Sequence, residues 1–222
     1  MNAEEVAIYL KTHPEFFDRF AELLAGIEIP NPHGDSAVSL SERQMGVMRD
    51  KMRALEKKMG ELISYGEIND AIAEKVHRLA VALVAADDLA GTVGILYNHL
   101  AGAFAVPHVA VRIWGVGSGG NLSATELSPV PDTLKALAGG MLQPYCGSAS
   151  NQQALEWFGE HAHHIKSMAQ VPLREHGQDG GVCFGLLVLA SEEVQRFYPD
   201  MGVMYLERIG DLASAALLRV VD

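Results

Sequence analysis

Between Leu40 and Leu83 apolar residues recur every three and four positions for six heptads without a proline. Only an α-helix gathers such a series on one side. With Met45 as position a, Met52, Met59, Ala73 and Ala80 also fall at a, while Met48, Leu55, Leu62, Val76 and Leu83 fall at d. Gly66 at a and Asn69 at d interrupt the stripe together. Gly60 and Gly66 each cost about 1 kcal/mol relative to alanine, so a kink or register change is expected near Gly66 to Asn69. If helical throughout, residues 40–86 span about 70 Å, more than one small domain needs. The expected division is a methionine-rich seam joining two copies of the chain (Met45, Met48, Met52, Leu55, Met59 and Leu62), followed by an Ala- and Val-rich stretch suited to burial against a sheet.

Residues 1–39 read as a small helical pair and a linker. Asn2 and Glu5 have capping-box spacing ahead of Val6, Tyr9 and Leu10. Pro14 opens a second helix carrying Phe16, Phe17, Phe20, Leu23 and Leu24, which Gly26 ends. So aromatic a pair cannot hide its apolar face within itself and must dock on something else. The segment IPNPHGD, residues 29–35, marks a boundary. Ser39 and Glu42 then form a second capping box at the start of the long helix.

Residues 87–222 change period. Asp87-Asp88 caps an amphipathic helix from Leu89 to Phe104. From Pro107 to Trp114 the residues alternate, with Val109, Val111 and Ile113 on one face and His108, Ala110, Arg112 and Trp114 on the other. GVGSGGN, residues 115–121, is a turn, and Leu122 to Leu127 is expected as its return strand. Residues 128–160 are irregular, with a short helix from Asp132 to Ala138. Strands are expected at Met168 to Leu173 and Val182 to Ala190, either side of the turn EHGQDGG, and the second is apolar enough to be central. A helix from Phe197 to Val221 closes the chain. This order describes an α+β fold, an antiparallel sheet with helices on one face and the excursion 128–160 covering the other as a lid over a pocket.

Charge narrows the function. The net charge of −11 divides as −5, +1 and −7 over residues 1–39, 40–86 and 87–222. Binding to nucleic acid or an anionic membrane needs clustered Lys and Arg, so neither is expected as a partner. No apolar run reaches the length of a membrane span and the first residues are acidic, which gives a cytoplasmic expectation. The basic cluster Arg49, Lys51, Arg53, Lys57 and Lys58 is interleaved with acids and reads as a solvated helix face.

Few residues carry chemistry. His161, His163 and His164 beside Glu160 form the best metal candidate, but a zinc site needs a partner from another segment, and they read as solvated histidines. Cys146 has no basic residue within five positions to activate its thiol, and Cys183 lies in an apolar strand. Arg112, mid-strand, must find an anion, a carboxylate partner or water. The residues assigned to a ligand pocket are Arg112, Trp114, Cys146, Trp157 and Phe158. No G-x-S-x-G, H-E-x-x-H or P-loop occurs, and the glycine series Gly115, Gly117 and Gly120 in GVGSGG lacks the apolar helix that a phosphate-binding turn must open, so no catalysis and no metal are expected, and no cofactor is identified.

The opening YLKTHPEFFDRFAELLAGIEIP, with HG and SLSERQ soon after, the pair PYCG and EWFG, and the ending GLLVLASEEVQRFYPDMGVMYLERIGDL resemble the bacterial family named domain of unknown function 484. The match covers nearly the whole chain. The C-terminal two thirds of that family resembles a GAF domain, a sensor fold that binds cyclic nucleotides, tetrapyrroles or small metabolites in other proteins. The resemblance implies a GAF-like domain at 87–222, entered by a long helix at 40–86 and preceded by the helical pair at 1–39. The N-K…F-x-x-x-D-E pattern of the cyclic-nucleotide binders does not occur, and Cys146 precedes glycine where bilin-binding domains usually place histidine. Two readings follow. One is a homodimeric, non-catalytic sensor of a small molecule, with a protein partner at the N-terminal helices. The other is a structural adaptor whose degenerate GAF fold serves dimerisation and docking.

Overall fold

A computed structural model of the chain describes residues 2–25, 28–29, 38–115, 125–175 and 181–221. It divides into two units, Met1–Glu67 and Ile68–Asp222, whose boundary falls within the Gly66 to Asn69 interruption.

In the first unit, helix α1 (Ala3–Thr12) starts at the expected capping box. The Glu5 amide donates to Asn2 Oδ1 at 2.7 Å, and the Asn2 amide donates to Glu5 Oε2 at 3.0 Å. The second helix of the expected pair is instead split in two, α2 (Glu15–Arg19) and α3 (Ala21–Ala25), because Phe20 leaves helical geometry at φ −122°. The aromatic rings still form a ladder. Tyr9 stacks on His13 at 4.4 Å, and Phe16 meets Phe20 at 4.8 Å. No residue of α1 or α2 is buried, as expected of helices that need a further surface. Two short strands, β1 (Glu28–Ile29) and β2 (Val38–Ser39), pair antiparallel around the linker, a contact not read from the sequence. Gly26 and residues 30–35 of the linker lie outside the described residues, as do the side chains of the Ser39–Glu42 capping box. Helix α4 (Leu40–Val84) runs without a break in helical assignment at Gly66 or Asn69.

The second unit takes up the rest of α4 and continues with α5 (Leu89–Gly102), capped by Asp88 as expected. Then follow β3 (His108–Ile113), a 3-10 turn (Thr125–Leu127), α6 (Asp132–Gly140), β4 (Tyr145–Ser148), a 3-10 segment (Gln153–His164), β5 (Ser167–Arg174), β6 (Cys183–Ser191) and α7 (Met204–Val221). The sheet is antiparallel throughout, in the order β3-β6-β5-β4. The apolar β6 is central, as its composition requires. Three expectations are corrected. The return strand at Leu122 to Leu127 is a 3-10 turn over 125–127, with 122–124 outside the described residues. Tyr-Cys-Gly-Ser forms β4, too short and too lacking in alternation to be read as a strand. Helix α7 begins at Met204 and not Phe197, since Pro199 and Gly202 oppose helix before it. The turns at 116–121 and 176–180 lie outside the described residues.

Each face of the sheet has its own core. Against the helix face, Val76, Leu79 and Leu83 of α4, Leu96 and Leu100 of α5 and Ile209, Ala213 and Leu217 of α7 bury Val111, Val171, Leu187 and Leu189. Gly210 lets α7 approach closely, because a Cβ there would stand 2.6 Å from Val171 Cγ1. Against the other face, α6 and the 3-10 segment cover Met168, Leu186, Val188 and Ala190. The α+β architecture expected from the sequence is therefore present: an antiparallel sheet, long helices on one face, and the excursion 128–160 as the lid on the other.

Candidate ligand site beneath the lid

Among the described residues strand β3 pairs with β6 alone, and its alternation puts Val111 and Ile113 toward the helices and Arg112 toward the lid. Arg112 is 8% exposed. Its Nη1 donates to the Val111 carbonyl at 2.9 Å, and its guanidinium lies 5.1 Å from the centre of the Trp157 ring. Among the described residues no carboxylate stands within ion-pair distance of it. The nearby Glu126 carboxylate is engaged by Tyr97, whose hydroxyl donates to Glu126 Oε1 at 2.8 Å and accepts from the Val111 amide at 3.4 Å. Burial, with Glu126 adding to it, pushes the Tyr97 phenol well above its usual range, so it stays a donor.

Two further polar groups share this face. Gln170 pairs across β6 with Val188, which in turn faces Ala110 of β3. Fully buried, it donates from Nε2 to Gln152 Oε1 at 2.9 Å, while its own Oε1 has no hydrogen-bond partner among the described residues. His108 Nε2 is likewise buried without a hydrogen bond; Glu192 Oε1 at 3.7 Å is within reach of an ion pair only when the ring is protonated. The His108 ring meets Phe158 at 6.0 Å and His161 at 5.3 Å.

The lid is fixed at two places. Arg174, at the end of β5, donates to the carbonyls of Gly139 and Met141 at 2.8 Å each, capping α6 from the sheet. Gly159 of EWFG breaks the 3-10 segment at φ 51°, ψ −123°, a conformation open to glycine alone, and the chain there carries Trp157 and Phe158 onto the sheet.

Of the five residues assigned to a pocket, the structure brings Arg112, Trp114, Trp157 and Phe158 to the lid side. Cys146 is placed elsewhere. Strand alternation turns its side chain into the helix-side core, where burial pushes the thiol up to about 11 and keeps it protonated near neutral pH. Cys183, at the start of β6, is half-buried, and burial raises its thiol too. The histidine cluster diverges: His161 joins His108 while the His163 and His164 rings meet each other at 3.8 Å, tilted by 42°. Among the described residues no three His, Cys, Asp or Glu side chains are grouped to hold a metal ion. Gln170 was not singled out from the sequence. The available signal was a lone polar residue at an alternate position of the apolar run Met168 to Leu173.

On the helix side, the Tyr205 hydroxyl donates to the Asn69 carbonyl at 2.9 Å, which ties α7 to α4 at the interrupted heptad. Arg219 donates to the carbonyls of Leu83 and Val84, each at 3.0 Å, and of Ala86, closing the C-terminus of α4. Residues 45–62 of the expected seam stand between 49% and 70% exposed in the single chain.

No helix among the described residues is long and apolar enough to cross a membrane. The uncharacterized protein YigA of Salmonella typhimurium is 26% identical over 219 residues, covering 96% of this chain and 90% of that protein. YigA of Escherichia coli K12 is 24% identical over 222 residues, with coverages of 98% and 91%. A solved GAF domain of the potassium sensor histidine kinase KdpD from Escherichia coli superposes with a TM-score of 0.37 at 16% identity, over 67% of this chain and 94% of that chain. The model of DUF484, a protein family of unknown function, matches residues 1–222, and the chain belongs to that family.

Proposed function

We propose that this chain is a non-catalytic regulatory module that dimerises through the Met45 to Leu62 seam and holds a small anion between sheet and lid. The observation that carries the reading is Arg112. A buried guanidinium with one backbone acceptor, an aromatic face and no carboxylate within ion-pair reach among the described residues is incompletely compensated, and such burial costs several kcal/mol, on the order of the 3–5 found when a buried pair loses one partner. A carboxylate or phosphate accepting its remaining N–H groups supplies that compensation. The unpaired Gln170 Oε1 offers an acceptor for a donor on the same ligand.

Leu134, Met168, Leu186 and Val188 fill the space between sheet and lid, so a ligand enters as the lid lifts. Lifting biases the sheet and the helices on its far face, a population shift whose size equals the ligand's preference for the open state. The test is native mass spectrometry of protein purified undenatured from its host, with Arg112→Met in parallel. A bound anionic metabolite that the variant loses supports sensing; no bound species in either sinks it.

The adaptor reading is favoured by a specific observation, the same filled space beneath the lid, together with the exposed Ile8, Tyr9, Phe20 and Leu23 of the N-terminal helices. It expects no ligand, and loss of a protein partner when Ile8 and Leu23 are made polar.

A further inference from the structure

The second unit carries another cleft, of about 390 Å³, on the helix side of the sheet and away from the lid. That volume is in the range of small-molecule sites, roughly 300–1,000 Å³. Its floor is apolar and buried: Leu100, Val106, Leu189 and Ile209. Two cations stand at its rim, both beside Phe104. Lys75 Nζ lies 5.9 Å from the centre of the Phe104 ring, and Arg196 Nη2 donates to the Phe104 carbonyl at 2.6 Å. Among the described residues neither has a carboxylate within ion-pair distance.

In a chain of net charge −11, two cations without acidic partners on one edge of an apolar cleft form a specific combination. A purely apolar occupant leaves both charges unanswered. A polyanion needs an extended basic surface and has no use for the floor. The complementary molecule is amphipathic, with one compact anionic head and an apolar tail. We infer that this cleft binds a medium-chain acyl carboxylate, its head between Lys75 and Arg196 and its tail over Leu189 and Ile209. Bound there, it touches α4, the α5–β3 connection and α7 together, one turn from the Tyr205–Asn69 hydrogen bond, and it does not depend on the lid site.

The experiment is calorimetric titration of the full chain with decanoate, decanol and decyltrimethylammonium, each below its micelle concentration. Decanoate is expected to bind about tenfold tighter than decanol, the scale of a charge-assisted contact at a half-exposed rim, and the ammonium weakest of the three. K75E and R196E, both at the rim, remove the preference for decanoate over decanol. G202W is expected to abolish binding with the melting temperature retained, since Gly202 lines the cleft and a Cβ added there meets nothing within 4 Å. Equal binding of decanoate and decanol overturns the inference, as does decanoate binding that survives G202W, or none to the unsubstituted chain. Self-association that G202W dissolves assigns the cleft to a second copy and overturns it too. Should G202W not fold, the two rim variants decide alone.

Discussion

The two stretches of α4 carry the same apolar period and meet different fates. From Ile72 to Leu83 the stripe is buried by the chain itself, with Leu79 and Leu83 at 0% and 2% exposure against α5, α7 and the sheet. From Met45 to Leu62 an equally apolar stripe stays open to solvent. Periodicity shows that a face wants covering, and only tertiary structure shows what covers it. The first unit supplies no such cover among its described residues, which is the physical ground for a second copy at the seam.

The sharpest way to break this contrast is a pair of matched truncations. Leu79→Ala, which opens a cavity in a filled core, is expected to cost about 2–5 kcal/mol in urea unfolding. Leu55→Ala in dilute solution, where any dimer has dissociated, is expected to stay within about 0.5 kcal/mol. Equal losses in the two would mean that the seam is covered within its own subunit. Arg219→Met comes next. Removing the donors that close α4 is expected to lower stability by about 1–2 kcal/mol, and hydrogen exchange should quicken at Leu83 to Ala86 but not in residues 45–62. The smallest effect concerns pH. The folded chain holds the Cys146 thiol up to about 11, above its ordinary value of about 9, so its contribution is complete below the ordinary value and is lost as pH rises through the folded one. Stability measured from pH 7 to pH 10.5 should therefore fall less steeply in Cys146→Ala than in the unsubstituted chain. A steeper fall in the variant would place the thiol in an environment that favours the thiolate.

Within α4 the sequence was readable as helix and stripe, but not as the face that enters the core. The heptad assignment centres its second half on Ala73, Val76, Ala80 and Leu83, whereas burial centres on Ile72, Val76, Leu79 and Leu83. The larger side chains won the core and left the two alanines at its rim. Local rules performed best where the partner is close in sequence, as in the Asn2–Glu5 box, the Asp88 cap and the β3 alternation that set Arg112 on the lid side. They failed where it is distant. Arg174 closing α6 and Arg219 closing α4 span 35 and 136 positions, and no local pattern announces either. Cys146 was misplaced for a similar reason, because four residues give too little alternation to show which way a side chain turns.

The seam itself is tested most directly by sedimentation equilibrium at micromolar concentration, comparing the unsubstituted chain with a variant carrying Met52→Glu and Leu55→Glu. Buried opposite a second copy, those positions do not tolerate charge, so a dimer that becomes a monomer of unchanged helical content is the expected result. A monomeric unsubstituted chain at that concentration, or a dimer indifferent to the two charges, would contradict it.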